Sequence, residues 1–179
     1  MTCIVGIEHK GRVWLGGDSA GVAGLSITQR ADAKVFTNGP FVMGFTSSFR
    51  MGQILRWKLE PPAPPEDNDY LECFMSTDFV TAVRTCLADN GWMAKKNERE
   101  EGGTFLVGVN GTLFCVESDF QVGLSHDGYM AVGCGDDLAL GALHATVGRS
   151  PAYRLKAALL AAEHHSAGVS GPFTIEVTK

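Results

Sequence analysis

Two short, almost wholly apolar runs open the chain: residues 3–8 (CIVGIE) and 12–16 (RVWLG), separated by His9-Lys10-Gly11. Apolar, β-rich runs bounded by a turn read as strands covered on both faces, so a buried hairpin is expected at the very start. Residues 17–33 are rich in glycine and small side chains and predict a long loop with a short extended piece. A second strand pair is expected at 34–37 (KVFT) and 41–46 (FVMGFT), around the turn signal Asn38-Gly39-Pro40. Ser48 is placed to cap a helix reaching about Leu59, with Ile54, Leu55 and Trp57 among its apolar positions.

The prolines of Pro61 to Asn68 (PPAPPEDN) lack amide hydrogens, which rules out helix or central strand and predicts an exposed loop. Phe79, Val80, Val83, Cys86 and Leu87 recur at helical spacing within an expected helix over 70–90. The charged, Gly-terminated stretch 95–103 reads as a solvated helix end and turn. Three strands are expected at 104–109, 112–117 and 128–133, the first two flanking the hairpin signature Asn110-Gly111. Helices fit 136–147 and 151–165, the second with Pro151 in its first turn, and a last strand fits 173–178. The order is strands, two helices, strands, two helices, strand. Antiparallel hairpins with helices grouped between them predict an α+β fold of two packed sheets with helices on both outer faces.

At 179 residues the chain suits one domain over 1–179 with a sizeable core. The net charge of -5 argues against nucleic acid or an anionic membrane as partner. No apolar run is long enough to span a bilayer, and no basic start followed by an apolar stretch marks a signal peptide. Cys3, Cys73, Cys86, Cys115 and Cys134 are odd in number and form no CxxC pair, which disfavours a disulfide scaffold or zinc site and points to a reducing cytoplasm.

Chemistry gathers at the amino terminus. Methionine before a small residue is commonly removed, which would leave Thr2 with a free α-amine. Such an amine has a reference pKa of roughly 8, so part of it is basic at neutral pH. A hydroxyl beside its own amine is a nucleophile and base in one residue. The simpler reading is a threonine that begins a strand. If the first hairpin turns at Lys10-Gly11, facing residues sum to about 21, and Asp18 lies within one residue of Thr2 and Cys3 across the strands. Lys34, at the start of the next strand, can pair with Asp18 and bring a cation to the Thr2 hydroxyl. Taken singly, Gly16-Gly17-Asp18-Ser19 is also a simple turn and Lys34 a solvated strand end.

In combination, TxIV at the start, GGDS at 16–19, AKVF at 33–36, Gly44-Phe45 followed by small polar residues, and GCGDDLALGAL at 133–143 resemble proteasome β subunits and the bacterial protease HslV. The resemblance covers nearly the whole chain. It implies the N-terminal-nucleophile (Ntn) hydrolase fold, a four-layer αββα sandwich, and threonine-type endopeptidase activity with no cofactor. It also implies roles. Thr2 would attack the scissile carbonyl, its α-amine would relay the proton, and Lys34 would hold the hydroxyl's pKa down. Asp18 would orient Lys34. The Ser47 amide would donate to the oxyanion, at a position where the family usually has glycine. Cys134 replaces the serine of the family's GSG turn, near the terminal amine; it reads equally as a small buried residue. Asp136 and Asp137 are explained as charges at a helix N-terminus. Ser170-Gly171 matches a family pair, but Ala167 stands where proteasome subunits carry an aspartate.

Loops 19–26, 46–49 and 133–137 would border the cleft. Val22, Phe45 and Phe49, with Phe36, fall at or near pocket positions, and the bulk of the aromatics predicts a shallow, apolar specificity pocket that favours small or medium apolar side chains; core packing explains the phenylalanines equally well. The resemblance further implies a closed homo-oligomeric ring and an ATP-driven unfoldase that feeds it polypeptide. The proline loop at 61–66 has no HslV counterpart. His164 and His165 are favourable cations at a helix C-terminus, and no third ligand completes a metal site. Rival readings are Cys3 as nucleophile after loss of Thr2, a non-catalytic structural subunit, and a small-molecule amidase of the superfamily.

Overall fold

The computed structural model describes residues 1–96 and 99–178. Strand β1 (Cys3–His9) and strand β2 (Arg12–Gly17) form the expected hairpin, closed by Lys10 and Gly11 at φ 50° and 72°. Two successive left-handed residues match the right-handed twist of the strands that they join. Ile4 faces Gly17 and His9 faces Arg12, so facing residues sum to 21, as the turn position demands.

The 17–33 segment departs from its expected loop. It folds as a hairpin of β3 (Ala20–Ala23) and β4 (Ser26–Gln29), whose exposed Ser26–Gln29 strand leaves no apolar period to read. Strands β5 (Val35–Asn38) and β6 (Phe41–Phe45) follow, and Ser48 caps α1 (Phe49–Trp57) by accepting from the Arg50 amide at 3.0 Å. The second helical region is α2 (Leu71–Phe74) and α3 (Val80–Asp89), joined through a π turn at Met75–Phe79.

The charged stretch after it is not a helix end. Strands β7 (Ala94–Lys96) and β8 (Arg99–Glu101) pair there, with part of the 95–103 expectation lying outside the described residues. Strands β9 (Phe105–Val109) and β10 (Thr112–Val116) flank Asn110-Gly111, whose φ values are 49° and 81°. A short strand, β11 (Val122–Leu124), was not expected; three residues with one glycine carry too little pattern. Then come β12 (Tyr129–Gly133), α4 (Asp136–Ala145), α5 (Pro151–His165) and β13 (Thr174–Val177).

The strands assemble into two antiparallel sheets, ordered β12-β1-β2-β13 and β11-β10-β9-β6-β5. Ile4, Val13 and Leu15 of the first sheet pack on Val35, Val42, Leu106 and Leu113 of the second. Cys3, Val5 and Ile7 point the other way, into α4 and α5 through Leu143, Leu155, Leu159 and Ala162. The second sheet's outer face buries Phe41, Met43 and Phe114 against Met51, Leu55, Phe79 and Val83 of the α1–α3 side. These are the four layers of an αββα sandwich. With both faces covered, β1 and β6 are apolar at nearly every position rather than at alternate ones. Among the described residues no helix is long and apolar enough to cross a membrane.

Candidate active site

Register decides which polar groups meet. The sum of 21 brings Asp18 opposite Cys3, and the Cys3 amide donates to Asp18 Oδ1 at 2.9 Å. The Ala20 amide donates to Oδ2 at 2.9 Å. Lys34, one residue before β5, reaches the same carboxylate at 2.9 and 3.0 Å. Its Nζ also donates to Thr2 Oγ1 at 2.9 Å. The side chains of Lys34 and Asp18 have no exposure to solvent. Burial lowers the Lys34 pKa from its ordinary 10.5, with Asp18 opposing the shift.

Thr2 lies at the mouth of this pair and is 7% exposed. With Met1 attached, its hydroxyl donates to the Met1 carbonyl, which also accepts from Lys34 Nζ at 3.5 Å. The Thr2 amide donates to Cys134 Sγ at 3.3 Å. Cys134 sits between two glycines for a steric reason. Gly133 has φ 108°, and a Cβ there would lie 2.2 Å from the Thr2 carbonyl oxygen. The turn therefore crosses the amino terminus at backbone contact distance. Gly168 gives room on the other side, where a Cβ would meet Met1 Cβ at 2.3 Å and Cys134 Sγ at 2.7 Å.

Ser47 follows β6 with φ 60°, in the left-handed region where glycine is favoured. Its hydroxyl accepts from the Thr104 amide at 3.2 Å, a bond that helps to hold the turn. Among the described residues no protein acceptor takes its own amide. A cleft of about 340 Å³ runs past Thr2 and Ser47, lined also by Val22, Thr28, Arg30, Phe45 and Phe49.

The structure thus brings together Thr2, Asp18, Lys34, Ser47, Cys134, Val22, Phe45 and Phe49. Phe36 is instead a core residue behind Phe45, with ring centroids 6.5 Å apart. The expected apolar pocket is of mixed character, because Thr28, Arg30 and Ser48 line it beside Val22, Phe45 and Phe49. Cys3 points away from the site into the α4–α5 core, and its thiol is pushed up to about 12 by burial and then by Asp18. It is no candidate nucleophile. His164 and His165 stack edge to face at the end of α5, away from the cleft residues. No cluster of histidine, cysteine, aspartate and glutamate among the described residues has the geometry of a metal site.

Sequence reasoning missed Arg30, Thr28 and Ser166. The first two belong to the segment read as loop, whose polar residues give no periodicity. Ser166 Oγ lies 3.5 Å from Cys134 Sγ through a contact 32 residues apart, for which local sequence holds no signal.

The chain matches no protein-family model and no curated protein. Solved structures do resemble it. BPH of Thiobacillus denitrificans in complex with epoxomicin superposes with a TM-score of 0.79 at 17% identity, covering 99% of this chain and 98% of that one. BPH in a second structure gives 0.77 at 18% identity, with 99% and 98% covered. Eukaryotic HslV from Trypanosoma brucei gives 0.72 at 20% identity, with 98% of each chain covered. The chain therefore has the Ntn hydrolase fold of BPH and HslV over its whole length.

Proposed function

We propose that this chain is a threonine endopeptidase, one catalytic domain over residues 1–179, with Thr2 as nucleophile once Met1 is removed. One observation carries the reading: a buried ammonium, Lys34 Nζ, bridges the Thr2 hydroxyl and the Asp18 carboxylate. A lysine buried only for packing would need one counter-ion. This one is also aimed at the hydroxyl of the residue that becomes the amino terminus.

The chemistry follows from the positions. Loss of Met1 turns the Thr2 nitrogen from an amide, which has no basic lone pair, into an amine. That amine takes the hydroxyl proton, through a water, as Oγ1 attacks the substrate carbonyl. Lys34 stabilises the alkoxide by proximity of opposite charge, and Asp18 keeps the ammonium in place. The tetrahedral oxyanion accepts from the Ser47 amide. Collapse expels the amine half of the peptide with the relayed proton and leaves an ester on Thr2, which water then hydrolyses. Cys134 Sγ, beside the Thr2 nitrogen, orients the amine; a thiol does so more weakly than a hydroxyl.

The fold shared with BPH, which its structure records with epoxomicin, supports the same reading. Epoxomicin is a peptide epoxyketone, and this class needs both the hydroxyl and the free amine of a terminal threonine. We assign the chain to a closed, cytoplasmic homo-oligomer that receives polypeptide from an ATP-dependent unfoldase. Leu25, fully exposed at the β3–β4 tip beside half-exposed Ile27, offers apolar surface for a second copy to cover. Sedimentation well above 19.1 kDa is expected.

The test is the intact mass of natively expressed protein with and without epoxomicin. Loss of Met1 and a single adduct, abolished by Thr2→Ala, are expected. Processed, assembled protein that forms no adduct and cleaves no unfolded polypeptide would overturn the protease reading. A retained Met1 would favour a non-catalytic structural subunit, because the Thr2 nitrogen then stays an amide and the Thr2 hydroxyl donates to the Met1 carbonyl.

A further inference from the structure

The cleft beside Thr2 holds a cation that the reaction does not use. Arg30 follows β4 and lines the same cleft as Thr2, Ser47 and Phe49. Its guanidinium is fixed on two sides. Nε and Nη2 grip Asp32 Oδ1 and Oδ2 at 2.7 and 2.6 Å. The Cζ lies 3.9 Å over the Phe49 ring. Its stem crosses Gly21, where a Cβ would lie 2.8 Å from Arg30 Cδ, so the glycine is what lets the side chain lie along the wall.

A guanidinium has five N–H donors, and the grip on Asp32 uses two. Among the described residues no acceptor takes Nη1. Arg30 lines the cleft and Asp32 does not, and both side chains are partly open to solvent, at 38% and 42% exposure. The same Phe49 ring lies 5.5 Å from Lys34 Nζ, so one aromatic ring separates the arginine from the reacting hydroxyl's partner. Thr28, Ser47 and Ser48 add hydroxyl-bearing residues to the lining, while Val22, Phe45 and Phe49 supply apolar walls. Such a cleft accommodates an aliphatic stem that ends in an acceptor for a planar, bidentate donor.

We infer that Arg30 is a specificity-determining residue, and that the cleft selects a glutamate side chain on the acyl side of the cleaved bond. The inference rests on the endopeptidase reading above. The substrate's β and γ methylenes lie along Phe45, Phe49 and Val22, and its carboxylate takes the free edge of the Arg30 guanidinium. Pre-ordering by Asp32 and Phe49 lowers the entropy lost when the substrate binds. Asp32 also offsets part of the field, which limits the selectivity. A basic side chain would meet the cation directly and is excluded.

The experiment uses processed protein and three peptidyl aminocoumarins, identical except for Glu, Gln or Leu before the fluorophore. The readout is the ratio of kcat/KM for Glu over Leu. The wild type is expected to favour Glu, with Gln between, and Arg30→Met to lower the Glu/Leu ratio about tenfold or more. Arg30→Lys keeps a point charge and is expected to restore part of the ratio, which loss of folding cannot do. Cleavage with Leu equal to or above Glu, or a ratio that Arg30→Met leaves unmoved, overturns the assignment of the cleft alone. Cleavage of none of the three, with no epoxomicin adduct, overturns the endopeptidase reading and this inference with it.

Discussion

Lys34 Nζ stands 2.9 Å from Thr2 Oγ1 and 2.9 Å from Asp18 Oδ1, out of contact with water. Three chain segments meet in that atom: the amino terminus, the end of β2 and the start of β5. The Asp18 carboxylate is also held by the amides of Cys3 and Ala20, so its position belongs to the backbone of the first hairpin. The lysine cannot move without leaving a buried carboxylate, and the carboxylate cannot move without breaking the hairpin's edge.

The pair should behave as one unit in stability. Removing one partner of a buried ion pair leaves the other uncompensated, at a cost of roughly 3–5 kcal/mol. Lys34→Met is expected to lower stability by about that amount. Asp18→Asn should cost somewhat less, since its carbonyl can keep one of the two amide donors while its NH2 faces the other. The double variant should be destabilised by less than the sum, with a coupling of about 1–3 kcal/mol. Urea midpoints of the four proteins give the cycle; strict additivity would show that the two groups are not energetically linked.

Activity should be confined on the alkaline side by Lys34. Burial makes its ammonium release a proton below the ordinary 10.5, and the neutral amine cannot stabilise an alkoxide. The acid limb is set by the Thr2 α-amine, which must be unprotonated and has a reference pKa of roughly 8. The profile of kcat/KM is therefore expected to rise through the amine's range and to fall before pH 10.5, with the fold intact by circular dichroism. An alkaline limb at or beyond that value would contradict the burial of the ammonium.

Thiol reactivity tests the placement of the cysteines without reference to catalysis. Cys73 and Cys134 are exposed, whereas Cys3 and Cys115 are buried and burial raises the pKa of both. Native protein treated with iodoacetamide at pH 8 is expected to alkylate Cys73 and Cys134 first and to leave Cys3 and Cys115 untouched until denaturant is added. Peptide mapping reads each site. Early modification of Cys3 would mean that β1 does not face α4 and α5 as described.

The sequence by itself determined the elements whose information is local. Lys10-Gly11 and Asn110-Gly111 impose left-handed turns, so the first turn fixes the sum of 21 and with it the approach of Asp18 to Cys3. Ser48 caps its helix through a side-chain oxygen only two residues from the amide that it receives. Apolar runs without alternation announced strands covered on both faces, hence the layered sandwich.

Tertiary structure alone decided what depends on distant packing. The β3–β4 hairpin and β11 are short and carry no apolar period, so pairing partners rather than propensity make them strands. Phe36 and Phe45 are both aromatics of adjacent β-strands and share one buried cluster, yet only Phe45 also lines the cleft. Arg30 became a wall of the cleft because Phe49, Asp32 and Gly21, from three separate positions, fix its side chain. A turn or a cap is set by torsions a few residues apart and is written in order along the chain. A cleft is the space left when four layers close, and no residue's neighbours in sequence state what will face it.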